Sequence, residues 1–282
     1  MKYLILGCNG MAGHTITLYL HKKGYCVMGY AREKSKFVET IIGDANDLVL
    51  LRKTILEGKF DVIINCIGIL NDDAENFKAN AVFLNAYLPH FLVHLTSKTL
   101  TKVIHISTDC VFSGDKGNYT EYDFPDGKSF YDRSKALGEF NDKKNLTLRN
   151  SIIGPDMNPR GIGLLNWFMQ QKNEVTGYSK TIWTGQTTLQ LAKTIEKLTT
   201  IDAVGLINAV PASSISKFEL LELFSRYFKN NSIKIMPSSV VKIDKSLLRT
   251  NFAYDFTVPN YEHMIKELAE WIEDHKELYP HY

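Results

Sequence analysis

The sequence predicts an α/β protein built on a doubly wound parallel sheet, with a smaller C-terminal α/β lobe. Three features of the 282-residue chain indicate this fold. Short runs rich in Val and Ile alternate with longer segments of helical periodicity, a glycine-rich turn follows the first run, and the alternation weakens after about Arg149. Near-continuous apolar runs are typical of strands covered on both faces, and their alternation with helices indicates a parallel sheet.

The elements of the sheet are predicted from these runs in chain order. Four strands are expected, at Lys2–Leu6, Tyr25–Tyr30, Asp61–Ile67 and Lys102–Ser107. The periodic segments between and before them predict helices at Met11–Lys23, Asp47–Glu57 and Asn80–Thr96. We expect residues 1–150 to form the nucleotide-binding domain of the chain.

The second half begins with a stretch in which Gly and Pro are concentrated, between Gly154 and Gly163. Such residues mark turns and transitions between structural units. Beyond it, helices are predicted at Gly163–Gln171, Leu189–Leu198, Lys217–Phe228 and Tyr261–His275, and strands at Gly205–Val210 and Ser232–Met236. We expect residues 151–282 to form a substrate lobe that closes over the sheet, with the boundary near residue 150 approximate.

Composition excludes several classes of function. The net charge is only +2, which is too small for the field of a nucleic-acid-binding protein. No apolar run has the length of a membrane span, and no signal-peptide cleavage site follows the first apolar stretch. The 4 cysteines are scattered without the spacing of metal ligands. We therefore expect no metal, no membrane and no nucleic-acid partner, and a cytoplasmic location.

The turn after the first strand predicts a dinucleotide site of the Rossmann type. Three glycines without Cβ atoms, each three residues apart, let the backbone approach a pyrophosphate at the start of the following helix. This spacing differs from the usual G-x-G-x-x-G pattern, but the position between a strand and a helix is the same. The predicted contacts are Gly7, Asn9, Gly10, Met11, Ala12 and Gly13.

The end of the second strand favours NADP(H) over NAD(H), which stays possible. NAD-preferring sites place an acid there for the ribose hydroxyls, whereas this strand is followed by Arg32. A guanidinium can bind a 2′-phosphate through charge-assisted hydrogen bonds. Asp44 is a candidate contact to the adenine amino group, and capping of a turn is an equal alternative for it.

Catalytic residues are predicted from two further segments. Tyr131 and Lys135 are four residues apart, on one face of a predicted helix. A lysine ammonium and a cationic nicotinamide are expected to lower the tyrosine pKa from about 10, which would make the phenol an acid–base group. Thr108 follows the fourth strand, at the sheet edge where ligands bind, and can polarise a carbonyl group.

These segments resemble the dTDP-4-dehydrorhamnose reductase family of extended short-chain dehydrogenases. The resemblance rests on Ser107–Gly114 (STDCVFSG) and Tyr131–Glu139 (YDRSKALGE), and it extends over essentially the whole chain. It implies a Thr108, Tyr131 and Lys135 triad and hydride transfer from NADPH to the 4-keto carbon of a nucleotide-linked 6-deoxyhexose. It also implies that Ile67 and Gly68 line the cofactor groove, for which a strand-end turn is the alternative. Asn80 would bind next to the cofactor near the active site and support the proton-relay region, and a helix-start cap is the alternative for it.

The sugar pocket departs from the family pattern. Asp109 and Cys110 are expected to contact the sugar, and the family usually has a tyrosine where Cys110 stands. Related dehydratases have an acid there, so dehydration is not expected. Ile152 occupies the place of a family tryptophan, and Trp167 is a candidate to flank the nucleotide base, although an aromatic at helical spacing is more often core. A UDP-linked, N-acetylated 4-keto-6-deoxy sugar from surface-polysaccharide biosynthesis is therefore an alternative substrate.

Two other functions stay open at this stage. One is epimerisation by transient oxidation with retained cofactor. The other is a regulatory NADP-binding subunit, as in the related β subunit of methionine adenosyltransferase. The intact Thr108, Tyr131 and Lys135 favour catalysis, because a binding subunit needs no proton donor. The expected partner is a nucleotide sugar, and the chain is expected to be a monomer or a homodimer.

Overall fold

The computed structural model describes residues 1–282, and its centre is a seven-stranded parallel sheet. All neighbouring strands in it run parallel. The strands are β1 (Lys2–Leu6), β2 (Cys26–Ala31), β3 (Thr40–Ile42), β4 (Val62–Asn65), β5 (Lys102–Ile106), β6 (Leu146–Arg149) and β11 (Gly205–Asn208). Their spatial order is β3-β2-β1-β4-β5-β6-β11, so the predicted doubly wound, Rossmann-type fold is confirmed.

Helices cover both faces of this sheet. In the first half they are α1 (Met11–Lys22), α2 (Leu48–Gly58), α3 (Asn71–Asn76), α4 (Lys78–Ala81), α5 (Leu88–Thr96) and α6 (Phe130–Leu137). The helix predicted at Asn80–Thr96 is interrupted, because a π-helical turn at Val82–Tyr87 joins α4 to α5. Two strands of the sheet, β3 and β6, were not predicted, because β3 has only three residues and β6 (LTLR) alternates apolar with polar residues and contains no Val or Ile.

The second half combines short sheets with four helices. The strands form three small sheets: β7 (Ser151–Ile153) with β10 (Gly185–Thr187), β8 (Glu174–Tyr178) with β13 (Lys234–Ser238), and β9 (Thr181–Trp183) with β12 (Ile215–Ser216) and β14 (Ile243–Asp244). The helices are α7 (Leu164–Met169), α8 (Thr188–Thr200), α9 (Lys217–Lys229) and α10 (Tyr261–Asp274).

The two halves of the chain share one hydrophobic core. α8 packs against α1, and β11 extends the main sheet beside β6. The largest buried cluster therefore joins Ile5 and Ile16 to Leu191 and Ile265. None of the helices combines the length with the apolar character that crossing a bilayer would require.

The strand order fixes where a ligand can bind. The order reverses between β1 and β4, whose following segments diverge to opposite faces of the sheet. A crevice forms at the carboxyl ends of the strands at such a switch point. The turn after β1, the segment after β4 and the segment after β5 all lie at this edge.

Candidate active site

The glycine turn after β1 is packed too tightly for side chains at two of its three glycines. Gly7 has a φ of +77°, and a Cβ on Gly13 would lie 2.0 Å from the Gly7 carbonyl oxygen. Gly10 is the N-cap of α1, and no side chain caps the first N–H groups of this helix. These N–H groups, with Met11 and Ala12 in the first turn, are free to bind an anion.

Two side chains connect this turn to its surroundings. The Asn9 side-chain amide donates to the Glu33 carbonyl oxygen at 2.9 Å, which ties the turn to the segment after β2. Ile67 lies beside Gly7, since a Cβ on Gly7 would be 3.1 Å from its Cγ1 atom. Gly68 follows it at the end of β4 and is exposed. The structure thus brings the glycine turn and the predicted Ile67–Gly68 segment together.

Arg32 and Asp44 lie near each other at the ends of β2 and β3. Arg32 is exposed and forms no ion pair. Hydrogen bonds from Asn46 lower the pKa of Asp44, and the nearby Arg32 charge contributes to the shift. The Asp44 carboxylate accepts from the Asn46 backbone N–H at 2.8 Å, which is the turn-capping arrangement that the sequence left as an alternative.

Helix α6 presents the predicted tyrosine and lysine. Its N-terminus is a capping box in which Ser129 and Asp132 bond each other's backbone N–H groups, at 3.0 and 3.1 Å. This box starts the helix so that Tyr131 lies in the first turn and Lys135 one turn later, both buried. The lysine ammonium donates to the Ile106 carbonyl oxygen at 2.8 Å, at the end of β5.

Thr108 lies at the carboxyl end of β5 and meets Tyr131 there. Its hydroxyl accepts from the Cys110 N–H and donates to the Asp109 carboxylate, both at 3.1 Å. It lies near the Tyr131 phenol and lowers the pKa of that phenol. The structure therefore places Thr108, Tyr131 and Lys135 in one buried cluster at the switch-point edge.

The pKa of Tyr131 differs from the prediction. Burial raises it, the neighbouring Cys110 and Asp109 add to the increase, and the nearby Thr108 hydroxyl opposes it. The prediction of a lowered pKa relied on the charge of Lys135 together with that of a bound cationic nicotinamide. Burial, however, lowers the pKa of Lys135 itself to about 8, and its ammonium is directed to the Ile106 carbonyl group. The phenol is thus held in its protonated form at neutral pH.

A second polar cluster borders Thr108 on the side of the C-terminal half. Burial raises the pKa of Asp109, while Lys217, Lys245, Thr108 and Ser151 oppose that shift. Burial lowers the pKa of Lys217, the first residue of α9, to about 8. Its ammonium lies 4.8 Å from the centre of the Trp183 ring and has no hydrogen-bond acceptor within the protein. Sequence reasoning missed both lysines, because only the folded chain brings them to Asp109.

Ile152 and Trp167, which were predicted to contact the nucleotide sugar, lie outside the cluster of Thr108, Tyr131 and Lys135. Ile152 is half-buried in β7, next to Ser151, and packs on the main core. Trp167 on α7 is 41% exposed. The start of α7 adjoins the glycine turn, since a Cβ on Gly163 would lie 3.0 Å from the Met11 sulfur atom.

The asparagine at the site is Asn85, whereas the sequence predicted Asn80. Asn80 is exposed on α4 and makes no side-chain hydrogen bond. Asn85 is buried in the π-helical turn; its amide binds both backbone groups of Ile69 and donates to the Ser134 hydroxyl at 3.0 Å. Because Ser134 lies between Tyr131 and Lys135, Asn85 holds α6 against the segment after β4. The sequence offered no signal to choose between the two asparagines, because both are followed by alanine and only the fold shows which one is buried.

Comparison with known proteins gives the family. The family model described as "RmlD substrate binding domain" matches residues 1–152, which is more than half of the chain. The chain belongs to this RmlD family. A dTDP-4-dehydrorhamnose reductase of Streptomyces griseus is 28% identical over 140 residues. That match covers 49% of this chain and 43% of the relative, so the RmlD-family chain matches less than half of that relative's length.

Two solved structures show that the likeness in fold extends over the whole chain. The dTDP-4-dehydrorhamnose reductase of Clostridium acetobutylicum has a TM-score of 0.76 at 24% identity, covering 97% of this RmlD-family chain and 100% of its own. The dTDP-4-dehydrorhamnose reductase of Bacillus anthracis, solved in complex with NADP, has a TM-score of 0.80 at 21% identity, with coverage of 96% and 99%.

Proposed function

We propose that this chain is an NADPH-dependent reductase of the 4-keto group of a nucleotide-linked 4-keto-6-deoxyhexose. The observation that carries the proposal is the placement of the buried Tyr131 next to Thr108 at the carboxyl edge of the sheet, on a helix whose Lys135 binds the end of β5, beside the glycine turn. A proton donor and a hydroxyl that can polarise a carbonyl group thus meet at the switch point. Family membership and the dTDP-4-dehydrorhamnose reductases among the relatives support the same reaction.

The residues of the triad have separate roles in this proposal. Reduction of a ketone requires a proton on the oxygen, and the raised pKa keeps Tyr131 in the protonated form that can donate it. Thr108 can donate a hydrogen bond to the same oxygen once its single hydroxyl proton turns away from the Asp109 carboxylate, and this bond stabilises negative charge as it develops. Lys135 lies behind Tyr131, at the sheet edge, where its amine can hold a ribose hydroxyl.

The residues around the glycine turn fit a dinucleotide. Gly7 has a positive φ, Gly13 leaves no room for a Cβ atom, and the uncapped N-terminus of α1 offers N–H groups to a pyrophosphate. The unpaired Arg32 fits a 2′-phosphate, which favours NADPH over NADH. The nicotinamide would supply the hydride. The Bacillus anthracis neighbour, which was solved with NADP, is consistent with this choice of cofactor. We place the reaction in the cytoplasm.

The wall of the sugar pocket favours a second candidate substrate, a UDP-linked N-acetylated 4-keto-6-deoxy sugar. Cys110 and Ile152 stand where the family resemblance leads one to expect aromatic residues, and the unpartnered ammonium of Lys217 lies near Asp109. An ammonium can donate to the carbonyl oxygen of an acylamino group. A route to a surface polysaccharide would use either sugar.

A panel of dTDP- and UDP-linked 4-keto-6-deoxy sugars, generated in situ, tests the proposal through loss of NADPH absorbance, with NADH in parallel. We expect oxidation of one NADPH for each keto sugar reduced. Tyr131→Phe should lower turnover at least about 100-fold and leave NADPH binding largely unchanged, because the phenol supplies a proton and not the binding surface. Conversion of the sugar without net NADPH oxidation would favour epimerisation, and full activity of Tyr131→Phe would refute the mechanism.

A further inference from the structure

Behind Lys135 lies a chain of buried polar groups that the proposed mechanism does not use. Asn65 ends β4, and His105 faces it from β5 in the register of the parallel pair. Both side chains are buried, at 1% and 0% exposure. Hydrogen bonds connect them to the Ile67 backbone on one side and to Lys135 on the other.

The Ile67 backbone fixes the orientation of the Asn65 amide. The Ile67 N–H can only donate, and it lies 3.2 Å from the Asn65 Oδ1 atom, which accepts. The Asn65 Nδ2 group, which can only donate, therefore faces His105, at 3.3 Å from the Nδ1 atom. That ring nitrogen must accept and carries no proton. Because burial lowers the pKa of His105 well below its ordinary value, the ring is neutral and its proton is on Nε2.

The Nε2 atom of His105 lies 3.4 Å from the Lys135 amine, whose other partner is the Ile106 carbonyl oxygen at 2.8 Å. We propose that His105 is a positioning residue for Lys135: Asn65 holds its ring as the Nε2–H tautomer, and this N–H is directed at the amine. The inference rests on the proposed function only for the role of Lys135 in catalysis.

The consequence concerns the protonation of Lys135. An N–H directed at an ammonium is unfavourable, whereas it can donate to the lone pair of a neutral amine. His105 therefore acts in the same direction as burial, which lowers the lysine pKa to about 8. Glu139 and Cys66 face the same amine and raise its pKa, and His90 is the other titratable group near His105. The geometry thus lets Lys135 gain and lose a proton close to neutral pH.

The tautomer can be observed without any substrate. Long-range ¹H–¹⁵N spectra of the full-length protein, labelled at histidine, distinguish bare from protonated ring nitrogens. The His105 signals are assigned by their loss in His105→Gln. We expect a bare Nδ1, a protonated Nε2 and no titration between about pH 5.5 and 8.5. A protonated Nδ1, or titration of the ring in that range, would overturn the proposal.

Three variants test the effect on Lys135, whose Nζ signal is assigned by its loss in Lys135→Met. His105→Phe keeps a ring but removes the N–H, and should raise the lysine pKa by about one unit. His105→Gln retains an N–H donor at similar reach and should restore most of the original value. Asn65→Asp introduces a carboxylate that accepts from both the Ile67 N–H and the His105 Nδ1–H. The histidine then takes the Nδ1–H tautomer, and the lysine pKa should rise most. If this variant does not fold, the first two variants decide.

The same shift should appear in the pH profile of keto-sugar reduction, as an upward displacement of the limb that belongs to Lys135. A purely structural role of His105 would lower turnover at every pH and leave both limbs in place, which would contradict the inference. If no keto sugar is reduced at all, the proposed function fails while the tautomer and the Nζ titration remain measurable. A wrong tautomer in an active reductase would remove only this inference.

Discussion

Burial shifts the ionisable side chains of the candidate site away from their ordinary protonation equilibria. It lowers the pKa values of Lys135 and Lys217 to about 8 and raises that of the Tyr131 phenol. Such shifts are concentrated at functional sites, because the groups that do chemistry are withdrawn from water. The cost of keeping them there is expected to appear as a loss of stability that depends on pH.

Lys135→Met should therefore stabilise the protein at pH 7 by about 1–2 kcal/mol. A lysine pKa near 8 in the folded chain, against 10.5 as the reference value, corresponds to an upper limit of about 3 kcal/mol, and loss of the bond to the Ile106 carbonyl offsets part of it. Between about pH 8 and 10.5 the unfolded lysine binds more protons than the folded one, so wild-type stability gains with rising pH relative to the variant.

Urea unfolding of both proteins at pH 7 and pH 10 measures this difference. The advantage of Lys135→Met should shrink as the pH rises, and Lys53→Met, at an exposed lysine of α2, should show no such trend. An advantage that is constant or grows from pH 7 to pH 10 would contradict a lowered lysine pKa.

The site residues that could be predicted are those whose positions follow from one helix or one strand end. Tyr131 and Lys135 lie one helical turn apart, and Thr108 lies just after a strand, so their placement needs only the strand and helix pattern. Lys217 and Lys245 reach Asp109 from more than 100 residues away, and no local pattern encodes that approach.

At the scale of elements, α6 is held in place by its contacts on both sides. The π-helical turn brings Asn85 to Ser134, and a Cβ on Gly138 would lie 1.9 Å from the Asn85 carbonyl oxygen. The sequence predicted one regular helix through this region, since a single π turn inside an α-helix has no characteristic residue pattern of its own. The asparagine was thus assigned to the wrong turn.

A buried ion pair joins the end of α6 to the central strands. Glu139 accepts from the Arg149 guanidinium at 2.9 and 2.6 Å and from the Ser107 hydroxyl at 2.6 Å. The Arg149 side chain is 2% exposed and lies 4.9 Å from the centre of the Phe112 ring. Glu139→Gln should cost about 3 kcal/mol of unfolding free energy, because it leaves a buried guanidinium without its counter-charge.

Denaturant unfolding of a small set of variants checks this expectation. Adding Arg149→Met to Glu139→Gln should recover at least half of the loss, since the unpaired charge disappears. At the exposed pair of Lys276 and Glu273, Glu273→Gln should change stability by less than about 0.5 kcal/mol. Equal losses at the buried and exposed pairs would show that burial does not set the cost.

At the scale of the molecule, the sequence predicted the type of the main sheet but not which strand forms its last position. Alternating strands and helices indicated the doubly wound sheet, yet Gly205–Val210 was predicted to belong to the second lobe. β11, at Gly205–Asn208, instead pairs with β6 at the edge of the main sheet. A short apolar strand carries no signal for which sheet it joins, because both environments bury it.

Because the chain returns to the main sheet at β11, we predict that residues 1–150 do not fold alone. In that fragment β6 would lose its partner β11, and α1 would lose α8, which removes Leu191 and Ile195 from the shared core and exposes the apolar side chains around them to water. Burial of such side chains contributes about 1.5–3 kcal/mol each, a large part of the net stability of a domain. We expect the isolated fragment to lack a cooperative thermal transition and to bind NADPH at least about 100-fold more weakly than the full chain.

Co-expression with residues 151–282 should restore both properties, because the shared core can then form between the two pieces. A fragment of residues 1–150 that unfolds cooperatively and binds NADPH with the affinity of the full chain would show that the first half is an autonomous domain.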